Sequence, residues 1–303
     1  MRMENKKIDL RVSSFPTIHG ENIVMRILDK SSVMLGLKDL GFGERDLTEF
    51  EKIIRMPYGI VLVTGPTGSG KTTTLYSALS TINSLELNII TVEDPVEYEL
   101  QLIRQTQVNV KAGLTFASGL RAILRQDPDV IMVGEIRDKE TAEIAVQASL
   151  TGHLVFSTLH TNDAPSSLPR LIDMGVEPFL ISTSVIGILA QRLVRVICKE
   201  CKEKYDPPDA LLKDLHIQGK AEFYRGKGCN ICKGSGYAGR IGIYELLLMS
   251  EEIKRMIIAR ASTDQIRAEA HKEGMRYLRD DGIEKARKGI TTIEEVLRVT
   301  EEG

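Results

Sequence analysis

Gly65-Pro66-Thr67-Gly68-Ser69-Gly70-Lys71-Thr72 decides the fold. The string matches G-x-x-x-x-G-K-[ST], and it stands where that pattern has a physical meaning, after an apolar run over 59–64 and before a helical stretch over 72–83. Glycines let the backbone turn its N–H groups inward, and the following helix N-terminus adds positive potential for phosphate. Lys71 then reaches the β- and γ-phosphates, the Thr72 hydroxyl is the candidate magnesium ligand, and Thr73 continues the loop into the helix. A Gly-rich turn can produce such a string by chance, but chance does not supply the strand and helix flanks. The base-reading pattern Asn-Lys-x-Asp of GTPases does not follow the loop. Asn5-Lys6-Lys7-Ile8-Asp9 has one residue too many and lies upstream. The expected ligand is therefore Mg-ATP, and the expected reaction its hydrolysis.

Working outward, short apolar strands are predicted over 88–92, 129–133 and 154–158, separated by helices over 116–126 and 139–149. Strands apolar on both faces, alternating with helices, imply an α/β domain with a largely parallel sheet covered on both sides. Upstream, 46–56 reads as a helix with Leu47, Phe50, Ile53 and Ile54 at helical spacing. Two strands, over 8–13 and 21–28, flank a turn at 16–20. Two strands cannot bury a core alone, so 1–30 is expected to be a truncated β piece of an N-terminal domain. The remainder divides into a P-loop domain over 31–195, a cysteine-bearing module over 196–245 and a charged helical subdomain over 246–303.

A phosphate loop needs acids at the carboxyl ends of neighbouring strands, to hold magnesium or orient water. Glu135 ends the strand Asp129-Val-Ile-Met-Val-Gly134, where glycine occupies the place at which an aspartate often stands; Glu93 ends Thr91-Val92. Glu135 is assigned to the magnesium and Glu93 to the attacking water, with exchange of the two roles left open. His153 and His160 bracket the strand at 154–159, and His160, at its carboxyl end, is the candidate sensor of the γ-phosphate.

Cys198-x-x-Cys201 and Cys229-x-x-Cys232 use all four cysteines and enclose 27 residues, 202–228. Two such knuckles make a tetrahedral S₄ zinc site with no open position, hence structural rather than catalytic. A redox dithiol is the alternative. With 40 Lys+Arg against 42 Asp+Glu, the chain lacks the basic excess of an extended nucleic-acid groove. No apolar run reaches membrane-span length, and 1–7 is charged, unlike a signal peptide, so a cytoplasmic protein is expected.

Together these strings resemble the secretion ATPases of the type II/type IV pilus group, and within it the type II secretion ATPases. The resemblance runs through Thr91-Val-Glu-Asp-Pro-Val-Glu97, Arg125-Gln-Asp-Pro-Asp129, Gly134-Glu-Ile-Arg-Asp138, Thr151-Gly-His-Leu-Val-Phe-Ser-Thr-Leu-His-Thr-Asn162 and Gln191-Arg-Leu-Val-Arg195, which leads into the tetracysteine. It implies a RecA-like ATPase domain in a homo-hexameric motor, peripheral at the cytoplasmic face of the inner membrane. There it would engage the cytoplasmic domains of secretion platform proteins and drive pseudopilus assembly. It also implies that arginines reach the phosphates, at the matching positions Arg11, Arg26, Arg121 and Arg125. A pilus assembly ATPase shares every motif and is the nearest rival. A DNA-dependent ATPase with a zinc ribbon is the rival from another class, and salt-sensitive stimulation by DNA would reveal it. Because arginine contributions are worth roughly 10³–10⁵ in rate, turnover by this chain is expected to fall well below that of a longer, hexamer-forming chain. Equal steady-state rates would contradict this.

Overall fold

The structure is a computed structural model. It describes residues 2–3, 6–29, 35–208, 212, 215 and 222–300, with backbone alone at 2–3, 6–9, 11 and 27–29. β1 (Arg2–Met3), β2 (Lys6–Thr17) and β3 (Gly20–Asp29) form a small antiparallel sheet. In it Arg11 stands opposite Arg26, and the turn is closed at Thr17 and Gly20. Leu10, Val12, Ile23 and Met25 are exposed on this hairpin.

The main sheet has seven strands. Its central strand β4 (Gly59–Thr64) is buried along its whole length. It pairs in parallel with β8 (Leu154–Leu159) on one side and β9 (Val185–Ile197) on the other. Beyond β8 come β7 (Val130–Val133), β5 (Ile89–Glu93) and β6 (Arg104–Gln107), all parallel. Beyond β9 the antiparallel β12 (Tyr237–Leu248) closes the edge. Alternation along β4 assigns its side chains to two layers. Val61 and Val63 pack with Phe50 and Ile54 of α1 (Glu44–Ile53 and its cap) and with Leu75 and Leu79 of α2 (Lys71–Ile82). Ile60 and Leu62 face Leu120 of α3 (Phe116–Ile123) and Ala145 of α4 (Lys139–Leu150). Each such fully buried aliphatic side chain contributes about 1.5–3 kcal/mol.

α5 (Ser167–Asp173) and α6 (Pro178–Ser184) lead into β9. After β12 come α7 (Glu251–Ile258), α8 (Thr263–Lys272), α9 (Leu278–Arg287) and α10 (Ile293–Thr300). Their Ile253, Ile266, Leu278 and Val296 join the same hydrophobic cluster as Leu62, so these helices cover the sheet. The cysteine module carries its own two-stranded ribbon, β10 (Lys202–Tyr205) and β11 (Phe223–Gly226). Among the described residues, no helix is long and apolar enough to cross a membrane.

Two differences from the sequence reading have local causes. The helix expected over 116–126 ends at Ile123, because Asp127 adopts φ 51° ahead of Pro128. β9 and β12 do not announce themselves as strands, since β9 interrupts its apolar pattern with Gln191 and Arg192, which are nevertheless buried.

Asp281 and Lys285 of α9 form a buried ion pair, with side chains 3% and 7% exposed, and Asp281 also accepts from the Tyr244 N–H of β12 at 2.9 Å. Removing one partner strands a buried charge. Lys285→Ala is expected to lower unfolding free energy by about 3–5 kcal/mol in urea melts, and a loss under about 1 kcal/mol would contradict the assignment.

Candidate active site

β4 delivers Gly65 at the carboxyl edge of the sheet, and α2 begins at Lys71. Between them the chain turns with Gly65, Gly68 and Gly70 at φ 146°, 81° and 89°, conformations that side-chain-bearing residues rarely adopt. Lys71 is 9% exposed, and its ammonium donates to the Gly65 and Pro66 carbonyls at 2.7 and 3.0 Å. Burial lowers its pKa to about 8, assisted by the nearby Arg192 and opposed by Glu135. Ser69 Oγ is buried without a hydrogen-bond partner among the described residues.

In front of the loop lies a cavity of about 660 Å³, bordered by Thr67, Gly68, Lys71, Thr72, Thr73, Glu93, Glu135 and His160. Parallel strands explain the convergence: β5, β7 and β8 all end at the edge where β4 ends, so the residues that follow them meet one space. Glu135 Oε2 lies 2.5 Å from Arg137 Nε and 3.3 Å from His160 Nε2. Glu93 is 3% exposed, and its carboxylate accepts from the Tyr76 hydroxyl, from Thr91 Oγ1 at 2.5 Å and from Gln105 Nε2 at 3.1 Å. Burial and this contact with Glu93 push the Tyr76 hydroxyl far above its ordinary range, so it stays a donor.

Arg26 of β3 borders the same cavity. Arg11 is opposite it in register, and its side chain lies outside the described residues. Arg121 pairs with Glu140 at 2.6 Å on the outer surface, and Arg125, beyond the end of α3, donates to the Arg121 carbonyl at 2.9 Å. Neither borders the cavity of its own chain. His153 sits at the opposite end of β8, its Nδ1 2.8 Å from the Ala148 carbonyl.

Several residues that the sequence reading left without a role stand at this site. Arg240 and Leu193 border the cavity from β12 and β9. Arg137 and Gln191 lie inside the strings that carry the family resemblance and Gln105 lies outside them, and none of the three has a motif signal of its own. For Gln191 alone there is a hint, a polar residue inside a largely apolar strand. Behind the site, Asp163 pairs with Arg267 of α8 at 2.6 Å. Glu245 of β12 accepts from the Ala164 and Leu278 N–H groups at 2.8 and 3.4 Å, and burial pushes its carboxyl up to about 7.

The four cysteines meet where β9 ends. Their sulfurs lie within 4.8 Å of one another, with 198–229, 201–232 and 229–232 separations of 3.9, 3.8 and 3.7 Å. A tetrahedral zinc with bonds of about 2.3 Å sets its sulfurs about 3.8 Å apart, so the donor set fits. Backbone N–H groups of Gly228, Cys229 and Gly236 point at Cys201 and Cys232 sulfurs at 3.2–3.3 Å, as thiolate ligands require.

Residues 1–298 match the family described as Type II/IV secretion system protein. The chain belongs to this family. It is 54% identical over its full length to type II secretion system protein E of Pseudomonas aeruginosa, covering 60% of that protein. It is also 54% identical to the type IV pilus assembly ATPase PilB of Thermus thermophilus, over 97% of this chain and 33% of the relative. The chain thus spans about 60% of the length of the type II relatives it matches. Among solved structures, the pilus retraction motor PilT with bound ADP superposes with a TM-score of 0.67 at 29% identity, covering 96% of this chain and 77% of that one. The Legionella pneumophila ATPase DotB superposes with a TM-score of 0.68 at 21% identity over 98% of this chain and 77% of its own, a likeness of fold. The secretion-ATPase resemblance read from the motifs is borne out, as is the α/β P-loop fold.

The depressed Lys71 pKa gives this family member a pH signature. A bound polyphosphate would favour the charged ammonium, so nucleotide binding above about pH 8 is expected to take up a proton, with affinity falling as pH rises through about 8. Calorimetry in buffers of different ionisation enthalpy is expected to show uptake approaching one proton near about pH 9 and close to none near about pH 6.5. Equal uptake at both would refute the assignment.

Proposed function

We propose that this chain is the Mg-ATP-hydrolysing part of a motor that powers type II protein secretion. The observation that carries the reading is the convergence of Lys71, Glu93, Glu135 and His160 on one cavity at the carboxyl edge of the sheet. Lys71 and the loop amides would hold the triphosphate, and the Thr72 hydroxyl and Glu135 would hold magnesium, which would neutralise phosphate charge. Glu93 would orient the attacking water, and its contact with Tyr76, Thr91 and Gln105 would fix the carboxylate's direction. His160, touching Glu135, would report the γ-phosphate to the loop after β8. Arg26 would supplement the charge from the hairpin, with Arg11 beside it in register. In a homo-hexameric ring, the exposed Arg121 and Arg125 would be offered to an adjacent subunit. Cys198, Cys201, Cys229 and Cys232 would hold a structural zinc. Platform proteins at the cytoplasmic face of the inner membrane would be the partners, bringing the motor to the membrane peripherally. The 54% identity to PilB supports a second reading, assembly of a type IV pilus by the same chemistry.

Two variants separate grip from chemistry. Lys71→Ala is expected to abolish Mg-dependent nucleotide binding by calorimetry. Glu93→Gln is expected to retain binding within about threefold and lose at least about 10²-fold in kcat. Wild-type turnover by either variant would sink the proposal. Zinc removal by a chelator is expected to lower the melting temperature and release one zinc per chain in a colorimetric assay, whereas a redox dithiol would release none.

A further inference from the structure

Gln191 lies on β9, behind the phosphate loop, and is 2% exposed. Burying a carboxamide in a strand costs free energy unless both its ends find partners, so some hydrogen bonding is required in any case. The informative point is which partners it has. Nε2 donates to the Ser69 carbonyl at 2.8 Å, and Oε1 accepts from Thr74 Oγ1 at 2.7 Å. One contact lies within the loop and the other in the first turn of α2, where the Thr74 N–H also donates to the Gly70 carbonyl at 3.1 Å. The glycines fit the same strand. A Cβ at Gly70 would come within 2.8 Å of Gln191 Nε2, and one at Gly65 would collide with the Gln191 carbonyl.

Resting on the reading of this loop as a phosphate grip, we propose that Gln191 is a positioning residue for it, a role beyond the Lys71 and Thr72 chemistry. The Ser69–Gly70 peptide is planar and trans, so its C=O and N–H point in opposite directions. Gln191 holds the C=O against β9. The Gly70 N–H is thereby turned away from the strand, and Gly70 borders the cavity. An amide that would otherwise rotate is aimed before phosphate arrives, which lowers the ordering cost of binding. Thr74 locks the carboxamide so that its NH₂ end, rather than its oxygen, faces Ser69.

The experiment measures MgADP affinity of the 303-residue chain by calorimetry, with ATP KM and kcat alongside. The wild type comes first: without MgADP binding, the phosphate-loop reading itself fails. Given binding, Gln191→Glu replaces the donor by a carboxylate facing the Ser69 carbonyl and is expected to weaken MgADP about tenfold or more near neutral pH, raising KM more than it lowers kcat. Acidification protonates this buried carboxyl, restores a donor, and is expected to recover affinity toward wild type. The wild type, with the same Lys71 and Arg192 charges nearby, serves as the pH control. Gln191→Met, an apolar near-isostere, covers the case in which glutamate is not accommodated, and the same loss of about tenfold is expected without recovery on acidification. Wild-type MgADP affinity in Gln191→Met, or in Gln191→Glu near neutral pH, would overturn the proposal. So would a Gln191→Glu defect that acid does not relieve in a chain whose melting temperature matches the wild type.

Discussion

Parallel strands that are buried on both faces must all finish on the same edge, and that constraint creates the site. β4 has no solvent-facing side, so its only route out is through its carboxyl end, where six glycine-rich residues carry the chain to α2. The neighbours β5, β7 and β8 obey the same geometry, and each adds one side chain of the candidate site at or just past its end. The sheet therefore needs no long loops to assemble Lys71, Glu93, Glu135 and His160. Packing on the two faces by α1 and α2, and by α3, α4 and the C-terminal helices, keeps the strand ends in register.

Charges at the site are held by different means. Lys71 is buried and rests on two loop carbonyls, a state that leaves its proton more weakly bound than usual. Glu93 sits among three neutral donors, which fix its direction without neutralising it. Glu135 instead faces a guanidinium and an imidazole. Two carboxylates in such different surroundings are suited to different tasks, one rigidly aimed and one responsive to charge.

The parts of the site legible in the sequence are those whose chemistry is local. The P-loop and the cysteine knuckles are contiguous strings, and Glu93, Glu135 and His160 follow recognisable strands. Gln191 is a different matter: its partners Ser69 and Thr74 are 122 and 117 positions away, and only the β4–β9 pairing brings them together. Tyr76 reads as one more core aromatic of a helix until the β5 end is placed beside it. The arginines show the reverse limit. Spacing puts Arg121 and Arg125 on one helix turn, yet α3 stops short and Glu140 claims Arg121. For α7 to α10, helical periodicity predicts an apolar face but not what it covers. Ile253, Ile266 and Val296 turn out to share the core beneath Leu62.

β9 has one more property. It runs without a break from the back of the phosphate loop at Gln191 to Ile197, and Cys198 follows at once. Strand geometry makes that stretch of seven residues roughly 23 Å long. Its pairing with β4 ends at Ala190, and from there β12 pairs with it for most of this length and resists its stretching or buckling. Mechanically it resembles a connecting rod, with the phosphate loop at one bearing and the cysteine knuckles mounted on the other.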